Sequence, residues 1–171
     1  MPGGPGVNPD GPPTPIPSPV APNTLGPFQT AAGGGCANFT LFAPDVSRRR
    51  FLLVEANKKD LGLVGLHDTV TIDLSTSAAP GRLSVRVDEY DRVPAEQMYC
   101  TDVLSGEPHK ETMLKAEQGT VTLTITAVGK EGDSYAVTVS LTNILVRRPG
   151  GQLERIPDAT FASVNVGWLP G

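Results

Sequence analysis

Aromatic side chains are scarce in this chain: one tryptophan, three tyrosines and five phenylalanines. So few leave little material for the aromatic platform on which sugar-binding modules are commonly built, and Trp168, on an apolar strand face, reads as a core residue. Histidine occurs twice, at His67 and His109. Neither C-x-x-C nor H-E-x-x-H is present, so no zinc site of recognised spacing is written in the chain. G-x-S-x-G, the P-loop and the dinucleotide fingerprint are missing as well. Gly33-Gly34-Gly35 is followed by neither a helix pattern nor a lysine, and reads as linker. Basic residues are outnumbered, 14 against 18 acidic, for a net charge of −4. That balance argues against a nucleic-acid binder, whose affinity rests on clustered Lys and Arg. No apolar run approaches the ~18–20 residues that a membrane-spanning helix needs. The opening Met1-Pro2-Gly3-Gly4 lacks the basic-then-apolar order of a signal peptide. The expectation is a mature extracytoplasmic form in which a start methionine replaces a removed signal.

Proline and glycine are abundant instead, 17 and 19 residues. Ten of the prolines precede residue 31, and Met1–Gly35 carries a single charged side chain, Asp10. Apolar content there is too thin to offset an ordering entropy of roughly 1–2 kcal/mol per residue. Residues 1–35 are therefore expected to be a disordered tail or tether, and 36–171 a single domain. A mixed Pro/Gly segment gives reach without a fixed direction.

From residue 36 onward the apolar period is two. Val70, Ile72 and Leu74 alternate with polar neighbours, as do Leu83, Val85 and Val87. The same holds for Val121, Leu123, Ile125 and Ala127, for Tyr135 through Leu141, and for Ala162 through Trp168. Phe39/Leu41, Phe51–Val54 and Leu61–Leu66 are further candidate strands. One wet and one buried face per strand favours antiparallel pairing, and eight or nine strands at this spacing predict an all-β antiparallel β-sandwich.

One hairpin can be set in register. Val137 opposite Ile125 places Val139 on Leu123 and Leu141 on Val121. Thr124, Thr122 and Thr120 then face Thr138, Ser140 and Thr142. A slip by one residue would bury hydroxyls. This register leaves a three-residue loop, Lys130-Glu131-Gly132, with Gly132 free to take a left-handed conformation. Ile144 and Val146 fall out of phase with Leu141, which predicts a bulge at Thr142-Asn143. For Gly106–Gln118 a helix starting at Pro108 competes with an extended lead-in, and the extended form is preferred.

Several residues are candidates for chemistry. Cys36 and Cys100 read as a disulfide across 64 residues, worth roughly 4 kcal/mol on the chain-entropy model and implying an oxidising compartment. Two buried thiols are the alternative. Asp88-Glu89-Tyr90-Asp91 is the densest acidic patch, and Asp88, Glu89 and Asp91, joined by Asp102 if the chain returns there, are candidate Ca²⁺ ligands, set against a solvated acidic loop. His67 beside Asp68 suggests an acid–base pair only if a turn brings the two side chains together. His109 sits among Glu107, Lys110 and Glu111 as a surface cluster. Arg48-Arg49-Arg50 reads as a charged strand edge ahead of an anion contact. Asn38-Phe39-Thr40 matches the glycosylation sequon. The threonines from Thr120 to Thr126, with Thr138, Ser140 and Thr142, form a regular hydroxyl face. It resembles the faces of ice-binding β-proteins and would also suit carbohydrate, although cross-strand Thr pairs stabilise a sheet for their own sake.

Three blocks carry a resemblance: Tyr99-Cys100-Thr101-Asp102; Gly119–Thr122 leading to Tyr135–Val139 and Leu141-Thr142-Asn143; and Val166-Gly167-Trp168-Leu169-Pro170-Gly171. Over residues 99–171 they resemble uncharacterised secreted or lipid-anchored bacterial β-sandwich proteins. The resemblance implies an envelope location and no activity. The expected function is a non-enzymatic binding or structural module for a protein or glycan partner, tethered to a membrane through its tail and needing no cofactor. Two rivals remain open: a surface-fibre subunit that assembles by strand addition, and a hydrolase with a site around His67/Asp68 or Asp88/Asp91/Asp102.

Overall fold

A computed structural model describes residues 21–37, 39–76, 79–95, 98–100, 108–129 and 134–167. The disorder expected of residues 1–20 lies outside this range, as do Asn38, Asp102, Gly132 and Trp168. Ten strands form one connected sheet: β1 Asn23–Thr24, β2 Gly34–Cys36, β3 Thr40–Pro44, β4 Arg50–Ala56, β5 Thr69–Asp73, β6 Leu83–Tyr90, β7 Lys110–Val128, β8 Tyr135–Arg147, β9 Leu153–Arg155 and β10 Ala159–Val166. Two short helices, α1 Lys58–Leu61 and α2 Ala79–Arg82, and a 3₁₀ turn at Thr30–Ala32 complete the described elements.

The all-β class holds; the plain antiparallel sandwich does not. The sheet is mixed, because β1 runs parallel to β9. It is also continuous, because β7 serves two neighbours on one edge. Lys110–Lys115 pairs with β6, and Thr120–Thr124 pairs with β5. Its other edge carries β8, which in turn pairs with β10 through its first half and β9 through its last residues. The sheet curls until β10 returns beside β2. Gly167 N–H donates to Ala37 O at 2.6 Å. A Cβ on Gly35 would stand 2.7 Å from Asn165 O, so only glycine permits this approach.

The interior of the curl holds the main core, including Leu41, Leu52, Val54, Leu114, Leu123, Ile125, Ile144, Ile156 and Phe161, all essentially without solvent contact. The β7–β8 register matches the sequence expectation at all six positions from Thr120–Thr142 to Ile125–Val137. The predicted bulge is present as well: Asn143 has φ 55°, Gly119 opposite it has φ 115°, and Leu141, Ile144 and Val146 are all buried. The hairpin end differs. An irregularity between Ile125 and Ala127 pairs Val128 with Tyr135, and Gly129 N–H bonds Ser134 O rather than Asp133. Gly106–Gln118 is extended where described, so no helix starts at Pro108. Leu61–Leu66 is not a strand: Asn57 caps α1 by accepting from Lys59 N–H, and Gly62, left-handed at φ 69°, ends it.

The tail boundary at residue 35 is also corrected. Leu25 is 3% exposed and belongs to the main core, as does Phe28. Leu25 N–H donates to Arg155 O at 2.8 Å, and Gln29 N–H donates to Pro44 O at 2.7 Å. Two apolar side chains in a Pro-rich stretch suffice to close one end of the curl. Leu25→Ala should therefore lower stability by about 2 kcal/mol or more, the usual cost of emptying a buried leucine site. A denaturation midpoint unchanged from wild type would return this arm to the status of a tail.

Candidate functional site

The outer face of β3, β4 and β6 is covered, not wet. Register places Phe42, Leu53 and Arg86 in one outward rank and Pro44, Phe51 and Asp88 in the next. Phe42, Phe51, Leu53 and Tyr90 form a second apolar cluster, capped by Met98, Tyr99 and Cys100. The Tyr99 ring lies 5.6 Å from that of Phe42 and 5.4 Å from that of Phe51. The Cys36–Cys100 disulfide pins this capping segment to β2, with a Cα separation of 5.7 Å. Met98–Cys100, between β6 and β7, lie on the outer face as a strap. Asp91 N–H bonds His109 O at 3.1 Å across the strap's base.

Beneath the strap, Asp88 is fully buried. Arg86 Nε donates to its Oδ1 at 3.1 Å, and Lys110 Nζ lies 2.8 Å from Oδ2. Tyr99 OH donates to Oδ2 at 3.2 Å, and Tyr99 and Tyr90 share a 2.7 Å hydroxyl bond. Arg86 also makes a two-pronged contact with Glu55. Burial of both phenols, with the Asp88 charge adding to it, holds them protonated: Tyr90 is pushed up to about 12 and Tyr99 is raised further.

Asp88, Glu89 and Asp91 do not converge, and Asp102, the fourth candidate Ca²⁺ ligand, lies outside the described residues. Neighbours on a strand face opposite ways, so Glu89 points to the other side, at one end of the curl. There Arg148 bonds it through two nitrogens at 2.9 Å each, and Arg50 Nε lies 3.0 Å away. These bonds, Arg148's first, hold Glu89 below the usual carboxylate range despite partial burial. Arg148 Nε also lies 2.7 Å from Glu154 Oε2, a charge contact rather than an aligned hydrogen bond. Asp91 is exposed. Among the described residues no three His, Cys, Asp or Glu side chains group as metal ligands.

His67 and His109 sit near opposite ends of β7. His67 N–H bonds Ile125 O, whereas His109 directly precedes Lys110. A turn does form at His67, φ 69°, but the Asp68 carboxylate accepts from Val64 and Gly65 N–H at 2.9 and 2.7 Å. Those two bonds lower its pKa and organise the loop. The hydroxyl face extends over four strands: Thr71, Thr122, Ser140 and Thr160 form one rank. Its hydroxyls bond one another, Thr69 to Thr124 at 2.9 Å, Thr71 to Thr122 at 3.2 Å and Ser140 to Thr160 at 3.3 Å. Such pairs are worth roughly 0.2–1 kcal/mol each to a sheet.

Arg48 and Arg49 lie in the turn between β3 and β4, Arg50 opens β4, and two clefts adjoin them. One cleft, about 350 Å³, is lined by Gln29, Ala32, Phe42, Pro44, Arg48 and Phe51. The other, about 370 Å³, gathers Arg49, Arg50 and Arg148 with Glu89, Glu111 and Tyr90. Arg49 Nε donates to Tyr90 O at 3.1 Å, which ties the turn to β6. The run Arg48-Arg49-Arg50 reads as a charged strand edge, and nothing in it signals the clefts. Comparison with protein-family models, curated proteins and solved structures finds no match to this chain.

Asp88→Asn should cost about 2–4 kcal/mol, because Arg86 and Lys110 lose their shared buried anion. Equal urea midpoints would show that the network carries no stability. The alkaline limit follows from Tyr90, whose folded pKa lies above the ordinary value near 10. Its stabilising contribution is whole below about pH 10 and is lost as pH rises through about 12. Phenolate absorbance at about pH 11 should therefore fall short of the value for all three tyrosines until the protein is unfolded.

Proposed function

We propose that this chain is a non-enzymatic binding module of an extracytoplasmic compartment, carried on its Pro/Gly-rich N-terminal segment. Its contact surface is the end of the curled sheet around Arg48–Arg50. The observation that carries this reading is the Cys36–Cys100 bridge, since structural disulfides persist in oxidising compartments. The clefts beside the arginine turn supply concave surface, and the turn is held on rigid strands. The ligand belongs to no class that the residues name. The Asp68 carboxylate is taken up by Val64 and Gly65 N–H, and Asp88 and Asp91 do not converge, which weighs against the hydrolase reading.

A structural role in a surface assembly is the second reading. Leu25 and Phe28 fill their own domain's core, so the arm is engaged within the chain rather than offered to a neighbour. Strand addition would instead use β5, whose one ladder among the described residues is with β7. Full-length protein and a form lacking residues 1–20 should both run as monomers for a binding module. Concentration-dependent assembly would favour the structural role.

Protein recovered from its native cells should fractionate outside the cytoplasm. Alkylation under denaturing, non-reducing conditions should add no label, and prior reduction should admit two. Two labels without reduction, or a cytosolic fraction, would remove the basis for this proposal.

A further inference from the structure

Asp88 and Lys110 are brought together by an irregularity in the sheet. Glu89 pairs with Thr112, but Tyr90 pairs with Lys110, so Glu111 is passed over. An unbroken ladder would set Glu111 opposite Tyr90, on the covered face that Asp88 and Tyr90 share, and would bring a second carboxylate toward Asp88. The extra residue sets Lys110 there instead. Its amine stands 6.0 Å from the centre of the Tyr90 ring and 2.8 Å from Asp88 Oδ2. The Asp88 side chain is wholly out of solvent, while that of Lys110 is 40% exposed. An amine with water on one side is thus held against a carboxyl group that has none.

We propose that this pair closes into an intramolecular amide, Lys110 Nζ to Asp88 Cγ, which ties β6 to β7. The ion pair is the state from which the bond forms. A proton passes from the ammonium to Oδ2, leaving a neutral amine against a neutral acid. The amine lone pair attacks Cγ. Negative charge develops on Oδ1, where Arg86 Nε donates at 3.1 Å as an oxyanion donor. Tyr99 donates to Oδ2 at 3.2 Å. It hands that oxygen a proton as the C–O bond breaks, and regains one from the nitrogen. Burial keeps the phenol protonated for this step. One water leaves, the two charges vanish together, and no other reactant enters the balance. Holding the groups in contact replaces an encounter in solution, an advantage on the order of 10⁵ M or more for well-oriented partners. The reverse step needs a water at a carboxyl group that the fold buries. None of this chemistry depends on what the clefts at the arginine turn bind.

The test is the mass of the full chain, kept folded at neutral pH until the value is constant, then reduced and unfolded. It should lie below the mass of the sequence by one water, whether or not Met1 is retained. Trypsin should leave the chain uncut after Lys110 and release a branched product in which residues 87–92 are joined to 93–115. Lys110→Arg keeps the positive charge and removes the nucleophile, so this variant should keep the water. A wild-type chain with no water missing would overturn the proposal. So would a missing water that maps to any other pair of residues, or one that is still missing in Lys110→Arg.

Discussion

Strand β7 is the constraint on which the remainder of the structure depends. It spans Lys110–Val128 without a break and is paired along both edges. A sandwich needs its chain to leave one sheet and enter the other. Here one strand belongs to both, so the layers cannot separate and the sheet must curl. Gly119, at φ 115°, marks the bend between the two halves. A Cβ there would stand 2.7 Å from Asn143 O and from Ile144 Cδ1, which leaves glycine alone able to turn the strand so tightly. Bulges in β8 and β10 take up the matching curvature. The closure of β10 onto β2, and through it the position of Cys36, follows from that bend.

The outer face then acquires its own structure. A curled sheet has one interior, and the outward side chains of β3, β4 and β6 would ordinarily be polar. Here they are Phe42, Phe51 and Leu53 beside the charged Arg86 and Asp88, and the strap is what allows both kinds to be buried. Tyr99 joins the two chemistries, with its ring on the phenylalanines and its hydroxyl on the Asp88 carboxylate. The disulfide fixes that tyrosine in place. The cleft beside Arg48 shares Phe42 and Phe51 with this feature.

Much of this was legible in the residues, and the failures have physical causes. The β7–β8 register could be read because Thr and Val alternate strictly there, and a slip of one would have buried hydroxyls. The Cys36–Cys100 pairing was legible as an even pair of cysteines. The curl was not, since it depends on which edges meet, and period-two patterning is silent on that. The arm was missed because Leu25 and Phe28 are isolated in a Pro-rich stretch, where composition argues against order while two well-placed side chains argue for it. The strap did leave a trace. Phe51-Leu52-Leu53-Val54 is a continuous apolar run, the mark of a strand covered on both faces. The Asp88 network left none, because a carboxylate next to Glu89 and Tyr90 reads as a wet acidic loop until register shows that Glu89 faces the other way while Asp88 and Tyr90 share the covered outer face.

The most direct test of the account is native-state hydrogen exchange resolved along β7 in the oxidised protein. If one continuous strand holds a single curled sheet, the slowest amides of Lys110–Lys115 and of Thr120–Thr124 should open together, with the same free energy and the same denaturant dependence. If the Lys110–Lys115 half opened independently with β3, β4 and β6, at a lower free energy, the molecule would be two layers that share a chain, and the account would be wrong.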